Sequence, residues 1–211
     1  MDIGIKIDTS ELDKLAKEFK KQPSIIAKGA VSAINKTLSS VDTKLQREIT
    51  TRYNIKKSEL KGGGKYAGSN SNNLIKERKA TFTNPHATIT VRGSRLTLGR
   101  FIQRPKEPVS HAGKSQSKIK KIPLPTVKVL KGQSKRITSA PHAFVAKKHG
   151  VNQLFERDGK RISIMRTLST AQMASNKDII KSVQNEAQNI LSKKLEQEIA
   201  YRNKKMQGAI K

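Results

Sequence analysis

The chain contains no cysteine, which excludes disulfides, thiolate metal sites and a thiol nucleophile. It is also poor in aromatic residues, at 4%, and in apolar residues, at 34%. A chain of 211 residues with so little apolar material has a thin core, so part of its stability is expected to come from neighbouring copies. Long apolar runs are missing too. No stretch approaches the roughly 18 residues of a membrane span, and the N-terminus carries no signal-peptide core. The expectation is a soluble protein, made in the cytoplasm, with no membrane partner.

Acidic residues are the scarcest charged type. The 16 Asp and Glu stand against 44 Lys and Arg, for a net charge of +28. A field of that sign attracts polyanions but specifies no fold. Nucleic acid is the default partner, and an acidic protein surface the other. Between Lys76 and Arg166 there are 22 basic residues and only 4 acids, Glu77, Glu107, Glu156 and Asp158, so most of the excess lies mid-chain.

That shortage of carboxylates leaves little for acid–base or two-metal chemistry. Glu156 and Asp158 sit in an E-R-D-G sequence that reads as a solvated hairpin. The four histidines, His86, His111, His142 and His149, show neither helical i, i+4 spacing nor an acid at ligand spacing. No G-x-S-x-G elbow occurs. Gly62–Asn73 (GGGKYAGSNSNN) lacks the Lys-Ser/Thr pair of a phosphate loop, and reads as a flexible connection. The sequence therefore predicts no catalytic residue, no metal ligand and no cofactor.

What is present is helical at both ends. From Ser24, a plausible cap after Pro23, the apolar residues Ala30, Ile34, Leu38, Val41, Leu45 and Ile49 recur every three or four positions. They form one helical stripe, with Lys36, Ser40, Lys44 and Arg47 on other faces. The helix is expected to end near Tyr53, with a further turn at Lys56–Leu60. A second long helix is expected from a cap at Ser175 or Asn176 to about Met206, striped by Ile179, Val183, Ala187, Ile190, Leu195 and Ile199. The two can pack together, with Ile34, Leu38, Val41, Leu45, Ile49, Ile190 and Leu195 as the packing residues, within one copy or between copies.

Between them the chain reads as strands. Alternation or β-branched enrichment marks Ala80–Phe82, Ala87–Val91, Thr126–Leu130, His142–Lys147, Gln153–Arg157 and Arg161–Met165, with a hairpin turn at Asp158-Gly159. Leu96–Pro108 and Val109–Lys121 read as a long basic connection. Met1–Asp8 reads as a first strand and Glu11–Lys21 as a short helix, while residues 203–211 read as a frayed tail. Strands without intervening helices imply an antiparallel sheet, small barrel or sandwich flanked by two long helices: a single α+β domain over 1–211.

Several segments resemble the phage minor tail protein Z family. They are Ala33-Ile34-Asn35 with Thr37; Arg47-Glu48-Ile49 with Tyr53, Ile55 and Lys56; and Leu98, Phe101 and Arg104-Pro105. Phe144-Val145-Ala146, and Leu154–Arg157 followed by Ile162–Ile164, continue the series in order. The family places a Gly- and Pro-containing loop after the last of these; here Arg166–Met173 has neither residue. The resemblance spans roughly residues 24–200. It implies a structural virion protein of long-tailed phages that completes the tail at the head-proximal end of its tube. It also implies a homo-oligomeric ring, of six copies, near the tail terminator, tail tube and head connector proteins. In that setting the mid-chain basic residues would make non-specific contacts with double-stranded DNA, with Arg100, Arg104, Lys118, Lys120, Lys121, Lys135 and Arg136 as the candidates. A basic nucleic-acid-binding protein of nucleoid or ribosomal type is the alternative that the charge allows.

Overall fold

The computed structural model describes residues 3–5, 24–60, 75–108, 124–140, 142–206 and 208. The short helix expected at 11–21, the 62–73 connection and the basic 109–121 segment lie outside these. The fold is α+β, with two long helices and small antiparallel sheets between them in sequence. The described strands form no closed barrel. Two compact units divide the chain: Met1–Ile49, Asn73–Gly93 and Ala171–Lys211 form the first, and Thr50–Asn72 with Ser94–Thr170 the second.

The first unit is built on α1 (Ser24–Arg52, up to Ile49 here) and α4 (Lys177–Met206). The stripe expected on α1 is the buried one: Ile34, Leu38, Val41, Leu45 and Ile49 are 6% exposed or less. On α4, Asn176 rather than Ser175 is the cap. Its Oδ1 accepts the Asp178 N–H at 3.1 Å, and its carbonyl accepts from Ile180, satisfying two donors that the first turn would leave orphaned.

Ser32 of α1 donates to Glu198, and Ser182 of α4 donates to Glu48 at 3.1 Å. Moving from Ser32 to Glu48 on one helix thus moves back from Glu198 to Ser182 on the other. The pair is antiparallel and stays in step for about 24 Å. Small residues permit the approach: Ala30 and Ala33 pack with Leu195 and Leu191, and a Cβ on Gly29 would touch Arg202 at 3.4 Å.

The α4 stripe departs from the expected one. Ile190 and Ile199 are only half-buried, while Glu198 is 8% exposed. A buried carboxylate needs partners, and Glu198 has them in Ser32, Lys36 and Arg202. The Lys36 hydrogen bond, above all, holds its carboxyl below the usual carboxylate range, against the opposing effect of burial. The helix runs through Met206, so it takes in residues 203–206 of the segment expected to fray.

The sheet of the first unit has the order β1-β3-β2, all antiparallel: β1 Ile3–Ile5, β2 Ile75–Arg78 and β3 Thr88–Val91. β3 alternates, with Ile89 and Val91 buried. The strand expected at Ala80–Phe82 does not form. Asn35 of α1 takes both backbone groups of Ala80 instead, accepting its N–H at 2.8 Å and donating to its carbonyl at 3.0 Å. Thr81 and Asn84 then close a tight turn. A side-chain amide has replaced a neighbouring strand as the partner of that backbone.

The second unit holds α2 (Lys57–Leu60), β4 (Arg95–Thr97), a 3-10 turn (Leu98–Phe101), β5 (Ile102–Arg104), β6 (Thr126–Val127) and β7 (Lys135–Arg136). β8 (Ala143–Lys148), β9 (Val151–Asp158), β10 (Arg161–Ile164) and β11 (Arg166–Ser169) follow. They form sheets β10-β9-β8, β5-β6-β7 and β11-β4. Tyr53, Ile55, Leu60, Phe101, Val127, Val145 and Leu154 are among its buried side chains, none of these more than 6% exposed.

Four expectations change here. The basic connection at 96–108 is ordered as strand, 3-10 turn and strand. Thr126–Leu130 is a two-residue strand followed by a single bridge from Leu130 to Tyr53. The segment after Met165, read as a loop, is β11 running into the short helix α3 (Thr170–Ala174). The β9–β10 turn falls one residue later than expected, at Gly159-Lys160, because Asp158 pairs with Arg161. Gly159 supplies its positive φ of 55°.

Candidate nucleic-acid interface

Of the residues named from sequence as DNA contacts, the structure describes Arg100, Arg104, Lys135 and Arg136; Lys118, Lys120 and Lys121 lie outside the described residues. Arg100 leaves the set. It sits in the 3-10 turn with its side chain 14% exposed, and its Nη1 lies 2.8 Å from Glu59 Oε1 on α2, itself 12% exposed. Glu59 also accepts the Lys56 N–H at 3.1 Å, capping α2. Arg100 is a brace inside the second unit, not a surface cation.

Arg104, Lys135 and Arg136 do lie at the surface, and β5-β6-β7 brings them together. Arg104 pairs with Thr126, and Thr126 with Arg136. Residues on one rung share a face of the sheet. The neighbouring rung, Ile102–Val127–Lys135, turns Val127 inward, where it is 3% exposed. The register shifts between Ile102 and Arg104, and Arg104 and Arg136 are both exposed on either side of Thr126, about 10 Å apart at their Cα atoms. Lys106 and Lys131 are also exposed. Glu107 is the sole acid between Glu77 and Glu156 in sequence. It is exposed, 4.0 Å from Lys147.

Such a rung can neutralise phosphates in any register. Among the described residues, neither a long helix nor a two-stranded ribbon with side chains for base edges projects from it. Its chemistry is electrostatic.

In the first unit, Lys76, Arg78 and Lys79 are exposed on and after β2. Glu77 between them has its carboxyl raised, chiefly by partial desolvation and then by the nearby Asp42 carboxylate. That acid weakens the cluster as an anion site. Elsewhere Arg161 stands opposite Asp158.

His86, His142 and His149 are exposed, and His111 lies outside the described residues. Among the described residues no three His, Cys, Asp or Glu side chains come together to hold a metal ion. No described helix is long and apolar enough to cross a membrane. Compared with protein-family models, with curated proteins and with solved structures, the chain matches none.

Sequence reasoning missed the roles of two structural residues. Gly99 lies against β9 so closely that a Cβ would meet the Asn152 carbonyl oxygen at 2.6 Å. His149 turns the β8–β9 hairpin with φ of 50°. The first could have been suspected from a lone glycine within an apolar segment; the second could not, because His is not a usual residue for that turn.

Proposed function

We propose that this protein is a structural, non-catalytic component of a long-tailed phage virion, of the minor tail protein Z type. In this reading it completes the head-proximal end of the tail tube and assists head–tail joining. It acts as a homo-oligomeric ring against the tail terminator, tube and connector proteins. The outward cations of its second unit meet the DNA end through phosphates, without sequence preference.

The observation that carries the reading is the charge on β5-β6-β7. Two exposed arginines share one rung, in a stretch of sequence with a single acid. The resemblance supplies the setting, and its segments fall on residues that build the fold: Asn35 clasps Ala80, while Tyr53, Ile55 and Phe101 are buried. The net charge of +28 also favours a second reading, a basic nucleic-acid-binding protein acting on its own.

Electron microscopy of the purified protein with and without isolated tail tubes tests the first reading. Rings, or a cap at one tube end, are the expected result. Monomers that ignore tubes yet bind free duplex tightly would replace it with the second.

A further inference from the structure

The sheet β10-β9-β8 has one face inside the unit and one outside, and register assigns each residue. Val145 pairs with Leu154, and both are buried, so their face is the inner one. Glu156 and Asp158 follow Leu154 at two-residue steps and fall on that same face. The other face carries the rung Phe144–Phe155–Ile164 and, one rung further out, the pair Ile162–Arg157. Phe144, Phe155 and Ile164 are only half-buried, and Ile162 is 48% exposed. At the opposite end of this face Lys148 is exposed.

Around these rungs the outer face is apolar, with the cation Arg157 at one end and no carboxylate among the described residues; toward Lys148 it is covered at Gln153, whose Oε1 is withdrawn from solvent beside Gly99 of the 3-10 turn. In a chain with five phenylalanines, two stand here in partial contact with solvent. Apolar surface left open with a polar rim marks a protein contact.

Its rim decides the occupant. A second copy docking by the same face would bring Arg157 against its own kind, on a chain already at +28. A single-stranded nucleic acid would need an open ring face for base stacking. Phe144 and Phe155 are stacked on each other, centroids 5.7 Å apart and planes 20° apart, and Ile164 flanks Phe155 on its other side. We propose that this face docks a partner protein presenting apolar side chains beside acidic ones, and that Arg157 sets its orientation. The inference concerns the second unit alone, and it does not depend on the tail reading.

The test uses the full-length protein with labelled isoleucine methyls and a synthetic eight-residue peptide of alternating leucine and glutamate. Expected are shifts at Ile162 and Ile164 that saturate. Ile162→Ser should weaken binding by about tenfold, as truncating a central apolar contact does, and Arg157→Gln should weaken it as well. Both positions are exposed, so the rest of the methyl spectrum should be unchanged. A leucine–lysine peptide of the same length should give no shifts. The proposal is overturned if the acidic peptide moves only other methyls, or binds both variants as it binds the parent. It is equally overturned if a thymidine 12-mer occupies the face in its place, or if Ile162→Ser abolishes a self-association of the unmixed protein.

Discussion

Replacing Arg100 by Met separates a brace from a DNA contact. Arg100 and Glu59 lie 2.8 Å apart with side chains 14% and 12% exposed, so both charges are largely withdrawn from water. At an effective dielectric near 20, unit charges about 4 Å apart attract by about 4 kcal/mol. Removing one partner from a buried pair costs about 3–5 kcal/mol, because the other charge is left stranded. Glu59 would keep its hydrogen bond from Lys56 and is not fully buried, which places Arg100→Met just below that range, at about 2–3 kcal/mol. In a chain of this size that corresponds to a fall in Tm of about 5–10 °C. Urea unfolding followed by circular dichroism measures the loss directly. Glu59→Gln and the double variant close a cycle, in which the pair's coupling should exceed about 1 kcal/mol. The salt dependence of duplex binding should keep its slope, since no phosphate contact is lost. A variant that unfolds like the parent but binds DNA with a slope smaller by about one unit would refute the assignment of Arg100 to the interior.

Three further outcomes follow from local geometry. Gly99→Ala pushes a Cβ to 2.6 Å from a backbone oxygen of β9, which no rotamer relieves. A loss of about 2–3 kcal/mol is expected in the same urea assay, and a loss under 0.5 kcal/mol would show that the 3-10 turn moves aside. His149→Asn should stabilise by about 0.5–1 kcal/mol, because Lys148 and Val151 flank a two-residue turn with φ of 50° and 74° at its centre, and Asn-Gly suits such a turn better. Glu198 titrates below its usual 4.5 in the folded chain, chiefly through the Lys36 hydrogen bond. Its contribution is therefore complete above about pH 4.5 and is lost as pH falls through the lowered value. Glu198→Gln should flatten that part of the stability–pH curve, and a curve parallel to the parent's would contradict the pairing.

The helices were legible because their burial is periodic. Ile34, Leu38, Val41, Leu45 and Ile49 could be read as one face from spacing alone, and all five are buried. The α4 stripe was readable except at Ile190, which is only half-buried, and around Glu198. Apolar periodicity chose Ile199 there, whereas an acid with three partners on two helices took the buried position. Strands of two to four residues offered too few alternations to place, so β2, β4, β5, β7 and β11 were missed. Ala80–Phe82 looked like a strand and is held by Asn35, a contact 45 residues away in sequence. Charge told a similar story. The excess of Lys and Arg was visible, but only register showed that Arg104 and Arg136 share a rung. Only burial removed Arg100.

The claim that the second unit meets DNA phosphates through that rung is tested most directly by duplex binding across a salt series, read by fluorescence anisotropy. The parent is compared with Arg104→Gln/Arg136→Gln and with a charge-matched control in the first unit, Lys181→Gln/Lys193→Gln. Each released phosphate contact lowers the slope of log K against log salt by about 0.9. The rung variant should therefore lose about two units of slope, and the control almost none. Equal losses in both variants, or none in either, would contradict the account, because binding would then follow net charge or lie elsewhere on the chain.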